Sequence, residues 1–111
     1  MDANDYREDS PTRGEVDADR GWLLLDFGTD WCGHCMAARA AVDAWVAAHP
    51  SLRHRRIEDG PGRPLGRSFR IKLWPSLVLL RDGVEVARVV RPVEARDLLP
   101  LQEARAIAGE A

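Results

Sequence analysis

The sequence holds few cysteines, aromatics and lysines. It has two cysteines, one tyrosine and two phenylalanines. Of its 16 basic residues, all but Lys72 are arginine. No second cysteine pair is present to complete a four-sulfur metal site. Neither sign of charge dominates, with 16 Lys plus Arg against 18 Asp plus Glu, so nothing points to nucleic acid or an anionic membrane as a partner. The opening stretch "MDANDYREDSPTRGEVDADRG" is acidic and polar, where a secretory leader needs an apolar run of roughly 7 to 15 residues. The apolar run "LWPSLVLL" is interrupted by Pro75 and is far shorter than the roughly 20 residues of a spanning helix. A soluble, cytoplasmic protein is therefore expected. In a reducing compartment two close cysteines are more often catalytic or metal-binding than a structural staple.

The 111 residues suffice for one core and are too few for two. We expect a loose tail over residues 1–9, with a short strand possible near Tyr6, and one domain over 10–111. Ser10 as N-cap with Pro11 at the first helical position predicts a helix to Asp19. "WLLLDF", closed by Gly28, reads as a strand buried on both faces. The alanine-rich stretch after the cysteines predicts a helix to about His49, stopped by Pro50. "LRHRRIE" is a further strand, "DGPGRP" a loop and "LGRSFRI" a helical turn ending before Pro75. "SLVLL" and "VEVARVV" form a hairpin about Asp82 and Gly83, residues that tolerate the positive φ of a two-residue turn. The last helix contains Pro100, which predicts a kink or break there. Alternating elements of this kind imply a sheet with helices on both faces.

The two cysteines fall in "DFGTDWCGHC", where the strand has ended and the helix is about to begin. Cys32 would then face unpaired N–H groups and the positive end of a helix dipole, which favour thiolate over thiol. Cys35 lies one turn on, near enough to pair with it. Gly33 gives the backbone room to tighten around a disulfide. A histidine at position 34 can carry a positive charge that stabilises the dithiol form, or be an exposed residue with no role. Two other readings of the pair stay open: a zinc site completed by His34, His49 and His54, and two inert buried thiols. Haem attachment fails because Met36 stands where histidine is needed.

"DFGTDWCGHC", the helix after it, "WPS" at 74–76 and the hairpin "LVLLRDGVEV" together resemble the thioredoxin superfamily, over about residues 11–107. The resemblance implies an α/β thioredoxin-like fold, a central mixed sheet of four to five strands with helices on both faces. It implies that Cys32 is the nucleophile and Cys35 the resolving thiol, and that Pro75 is a cis proline. The free N–H and C=O before that proline would hold substrate as an added strand. It makes Asp26 the buried acid that exchanges a proton with Cys35; burial between Leu25 and Phe27 disfavours its charged form, which suits that task. The plainer alternative is an aspartate satisfied by a nearby arginine. Trp31, Trp74, Pro75 and Ser76 would form the docking groove, although Trp74 could equally be core.

The implied activity is thiol–disulfide exchange on disulfide-containing protein substrates. It needs no metal or organic cofactor, a reductase-type partner would recycle it, and the chain would act as a monomer. The alternative is a binding module that keeps the fold and holds a protein partner, with redox chemistry secondary. "CGHC" is similar to the active site of protein disulfide isomerases, which differ from thioredoxins by about 90 mV. Gly28 stands where relatives usually carry an aromatic residue, which would leave one wall of the site open. Ala40 stands where many relatives have a helix-kinking proline, and Pro92 where a glycine usually lets substrate approach. The cation facing Asp26 would be His54, Arg55 or Arg56, where relatives tend to use lysine.

Overall fold

The computed structural model describes residues 5–109. In order they form α1 (Arg13–Ala18), β1 (Trp22–Gly28), α2 (Gly33–Ala47), β2 (Arg53–Glu58), α3 (Pro64–Ser68), β3 (Ser76–Arg81), β4 (Val84–Val90), a 3-10 turn (Ala95–Leu98) and α4 (Leu99–Ile107). The four strands make one mixed sheet in the order β2-β1-β3-β4. β1 runs parallel to β2 and antiparallel to β3. This is the α/β architecture expected from the sequence.

All seven residues of β1 are buried, because the strand is central and both of its faces are covered. Alternation divides its side chains. Trp22 and Leu24 join Ala38 and Val42 of α2 and Leu98 and Leu101 near α4 on one face. Leu23, Leu25 and Phe27 join Val16 of α1 and Leu65 and Phe69 around α3 on the other. The period of two therefore fixes Asp26 on the α2 side, under the helix that carries the cysteines.

The helix starts differ from expectation in an instructive way. The cap of α1 is Thr12, not Ser10: Thr12 Oγ1 accepts the Glu15 N–H at 3.1 Å, and Glu15 accepts the Thr12 N–H at 2.8 Å. Ser10 has Arg13 three residues on and cannot form this reciprocal box. At the other end, Pro100 lies in the first turn of α4, where its missing N–H costs nothing, and the 3-10 turn precedes it. The hairpin turn is as expected, with Asp82 at φ 52° and Gly83 at φ 80°.

The loose tail expected over residues 1–9 is corrected at Tyr6 and Arg7, where the short strand expected near Tyr6 is present as a single bridge. Tyr6 is buried, and Arg7 forms a parallel bridge to Ile57 at the outer edge of β2, with Arg7 N–H to Arg56 O at 3.1 Å and Glu58 N–H to Arg7 O at 2.8 Å. Residues 1–4 lie outside the described residues. Among the described residues no helix is long and apolar enough to cross a membrane.

Leu24 is fully buried where β1 meets α2. Leu24→Ala is expected to cost about 2–5 kcal/mol through lost burial and a residual cavity. Urea unfolding measures it as a lower midpoint with an unchanged slope.

Candidate active site

The turn after β1 brings Cys32 to the mouth of α2. Cys32 is the N-cap, with extended backbone, and its Sγ accepts the Cys35 N–H at 3.4 Å. The sulfur occupies the place a serine or aspartate oxygen commonly fills. Both cysteines are free thiols and buried. Burial pushes the Cys32 thiol up. It is outweighed by hydrogen bonds from the Cys35 thiol and from the N–H groups of Cys35 and His34, together with the charge of Arg91, so Cys32 ionises below a free thiol.

Cys35 behaves in the opposite sense. Burial raises it most, the Thr29 backbone and Tyr6 offset part of this, and the hydrogen bond and charge of Cys32 raise it further, to about 12. One sulfur is ready to attack while its neighbour keeps its proton. His34 is exposed, and its backbone N–H is the part that serves the sulfur. At Gly33 an added Cβ would meet no atom within 4 Å, so in this dithiol form the space does not demand glycine.

Beneath the pair lies Asp26, 2% exposed. The register pairs Asp26 with Arg56 and Leu24 with His54, which resolves the choice of cation. Arg56 Nε is 3.3 Å and His54 Nε2 3.8 Å from Asp26 Oδ2, whereas Arg55 points away, 3.9 Å from Asp9. Asp26 is thus both the buried acid and an aspartate with an arginine beside it. Its other oxygen, Oδ1, accepts a 2.6 Å hydrogen bond from Tyr6 Oη.

The open wall expected at Gly28 is not open. A Cβ there would lie 2.5 Å from Cys35 Sγ and 2.8 Å from Tyr6 Cζ, since the tyrosine ring fills the space. Tyr6, Cys32 and Cys35 form one buried cluster, with Trp74 packed against it.

Trp31 is 77% exposed, with its ring edge-on to Trp74 at 5.7 Å. Trp74 is half-buried, donates from Nε1 to Asp59 Oδ2 at 2.9 Å, and precedes Pro75 through a cis peptide bond. Two expectations about this groove are corrected. The Trp74 carbonyl is not free, because Arg91 Nε donates to it at 2.9 Å. Ser76 is not on the groove surface; it is buried, and its Oγ donates to Leu73 O at 2.6 Å. Pro92 is buried, while Ala40 is exposed on α2. A cleft of about 470 Å³ beside Trp74 is lined by Arg63, Arg67, Arg70 and Lys72 together with Asp59. Among the described residues no group of three or more His, Cys, Asp or Glu side chains could hold a metal ion.

The thioredoxin family model matches residues 8–103. The chain belongs to the thioredoxin family. It is accordingly a thiol–disulfide oxidoreductase. Thioredoxin 2 of Pseudomonas aeruginosa PAO1, solved in its reduced form, superposes with a TM-score of 0.82 at 48% identity, covering 97% of this chain and 98% of that one. The thioredoxin of Chlamydia trachomatis is 30% identical over 82 residues, 73% of this chain and 79% of that protein. Thioredoxin-2 of Pyricularia oryzae is 26% identical over 69 residues, 62% of this chain, and the match spans 40% of its own length.

Within this thioredoxin site the structure brings together Cys32, Cys35, Asp26, Trp31, Trp74 and Pro75, and turns Ser76 inward. Tyr6 and Arg91 were not anticipated. The signal for Tyr6 was present: a glycine at 28 in place of an aromatic calls for a ring from elsewhere, and the chain has one tyrosine.

The raised Cys35 value fixes the sign of a pH effect. Its bound proton favours the folded state fully below the ordinary thiol value of 9.0, and that contribution is lost as pH rises towards about 12. Urea titrations of the reduced protein at stepped pH should show stability declining over this window, and Cys35→Ala should flatten the decline.

Proposed function

We propose that Cys32 attacks the disulfide of a protein substrate and that Cys35 completes the exchange. The Cys32 thiolate displaces one substrate sulfur and forms a mixed disulfide. Cys35, its proton passed towards Asp26, then attacks Cys32 Sγ, and the second substrate sulfur leaves. The products are a Cys32–Cys35 disulfide and a reduced substrate, and a reductase-type partner returns the pair to dithiols. The observation that carries this reading is the asymmetry of the sulfurs: Cys32 at the helix mouth is lowered, and Cys35 one turn below is raised.

Trp31 and Trp74 offer an apolar landing surface beside Cys32. The cations of the adjoining cleft favour substrates with acidic residues near their cysteines. Arg91 on the Trp74 carbonyl means that a substrate backbone must displace or share that contact. With "CGHC" in place, we place the couple on the oxidising side of the roughly −270 mV of thioredoxin. Both of the chain's cysteines are used at this site, which fits a monomer working in a reducing, cytoplasmic compartment.

Cys32→Ser should abolish reduction of insulin disulfides, and Cys35→Ser should still attack but accumulate as a mixed disulfide. Insulin reduction indifferent to Cys32→Ser would reject the mechanism. Equilibration of the couple with glutathione measures its potential, and a value at or below that of thioredoxin would reject the proposed poise.

A further inference from the structure

The exchange just described needs the Cys35 proton to leave, and the geometry around Asp26 gives it a specific exit. One carboxylate oxygen faces Arg56 and His54, and the other is held by the Tyr6 phenol at 2.6 Å. The same ring packs with Cys35 in one buried cluster, and Tyr6 Cζ and Cys35 Sγ flank one point above Gly28, 2.8 and 2.5 Å from where a Cβ would stand, so the phenol lies beside that sulfur as well as on the carboxylate. A phenol is both donor and acceptor. It can take a proton on one side while giving another up on the other.

We infer that Tyr6 is the proton relay between Cys35 and Asp26, supplied by a segment that lies outside the cysteine motif and fills the space left by Gly28. In the resting dithiol, Tyr6 O–H points to Asp26 Oδ1. As Cys35 attacks Cys32 Sγ, its thiol proton passes to Tyr6 Oη and the phenol proton passes to Asp26 Oδ1. The Cys35–Cys32 bond forms, the bond from Cys32 to the substrate sulfur breaks, and the substrate leaves with that electron pair. Tyr6 is a neutral phenol before and after, and Asp26 ends protonated. Burial, followed by the charge and hydrogen bond of Asp26, holds the Tyr6 phenol far above its ordinary value. Tyr6 therefore passes protons rather than keeping a charge of its own. The inference rests on the proposed roles of Cys32 and Cys35.

The test uses dithiobisnitrobenzoate, an aromatic disulfide that releases a coloured thiol twice, first on attack by Cys32 and again on resolution by Cys35. Tyr6→Phe keeps the ring over Gly28 and removes the hydroxyl. The second release should slow by on the order of a hundredfold at neutral pH, as loss of a positioned acid–base group does. Its rise with pH should move to more alkaline values, while the first release changes little. In an Asp26→Asn background the same substitution should add no further slowing.

An unchanged second release and pH profile in Tyr6→Phe overturns the relay, as does equal slowing in the Asp26→Asn background. Because the chain has one tyrosine, biosynthetic fluorotyrosine labels this position alone without disturbing the packing. Its more acidic phenol should shift the profile of the second release to lower pH, and an unmoved profile again overturns the relay. Absence of two releases in the unaltered chain would instead reject the roles of the cysteines.

Discussion

An aspartate in the middle of a buried strand is the constraint around which this molecule is arranged. Asp26 sits in β1 with hydrophobic neighbours along the strand and the sheet closed on either side. A carboxylate there is tolerated only where partners replace the water it has lost. Two parts of the chain supply them. β2 contributes Arg56 and His54 because its parallel register sets both on the α2 face. Residues 6 and 7 reach the site because a bridge to β2 fixes Tyr6 over Gly28. Arg56 is held in turn by Asp43 of α2 at 3.0 Å, so the helix that carries the cysteines is tied to the cation that satisfies the acid.

Above this buried network the chemistry is divided between two sulfurs that differ by one helical turn. Cys32 ends an extended segment and receives N–H groups that α2 cannot satisfy internally, whereas Cys35 is already inside the helix and turned to the sheet. The same residue type thus meets two environments. The dipeptide between the cysteines contributes mainly through its backbone, since the His34 N–H faces the sulfur and the space beside Gly33 is open.

Much of this was legible in the residues. The continuous apolar run of β1, the hairpin about Asp82 and Gly83, and the cysteines at a strand-to-helix junction each carry a local signal, and each was found where that signal placed it. Features set by non-local geometry were not legible. Which of His54, Arg55 and Arg56 faces Asp26 depends on strand register, and one residue of slip exchanges them. The inward turn of Ser76 and the contact of Arg91 on the Trp74 carbonyl depend on how β3, β4 and the loop before Pro75 meet. The role of Tyr6 was hidden for a related reason: a short strand near it was legible, but the niche that receives its ring is built by a glycine in another element.

Position 28 and position 6 share one volume, so neither can be judged alone. Placing a bulky ring at Gly28 would evict the existing ring and strip the carboxylate of a donor. The two sites are an epistatic pair: either change alone is harmful, and a replacement must come as a matched exchange. Redesign that treats the two positions independently would therefore fail at this spot.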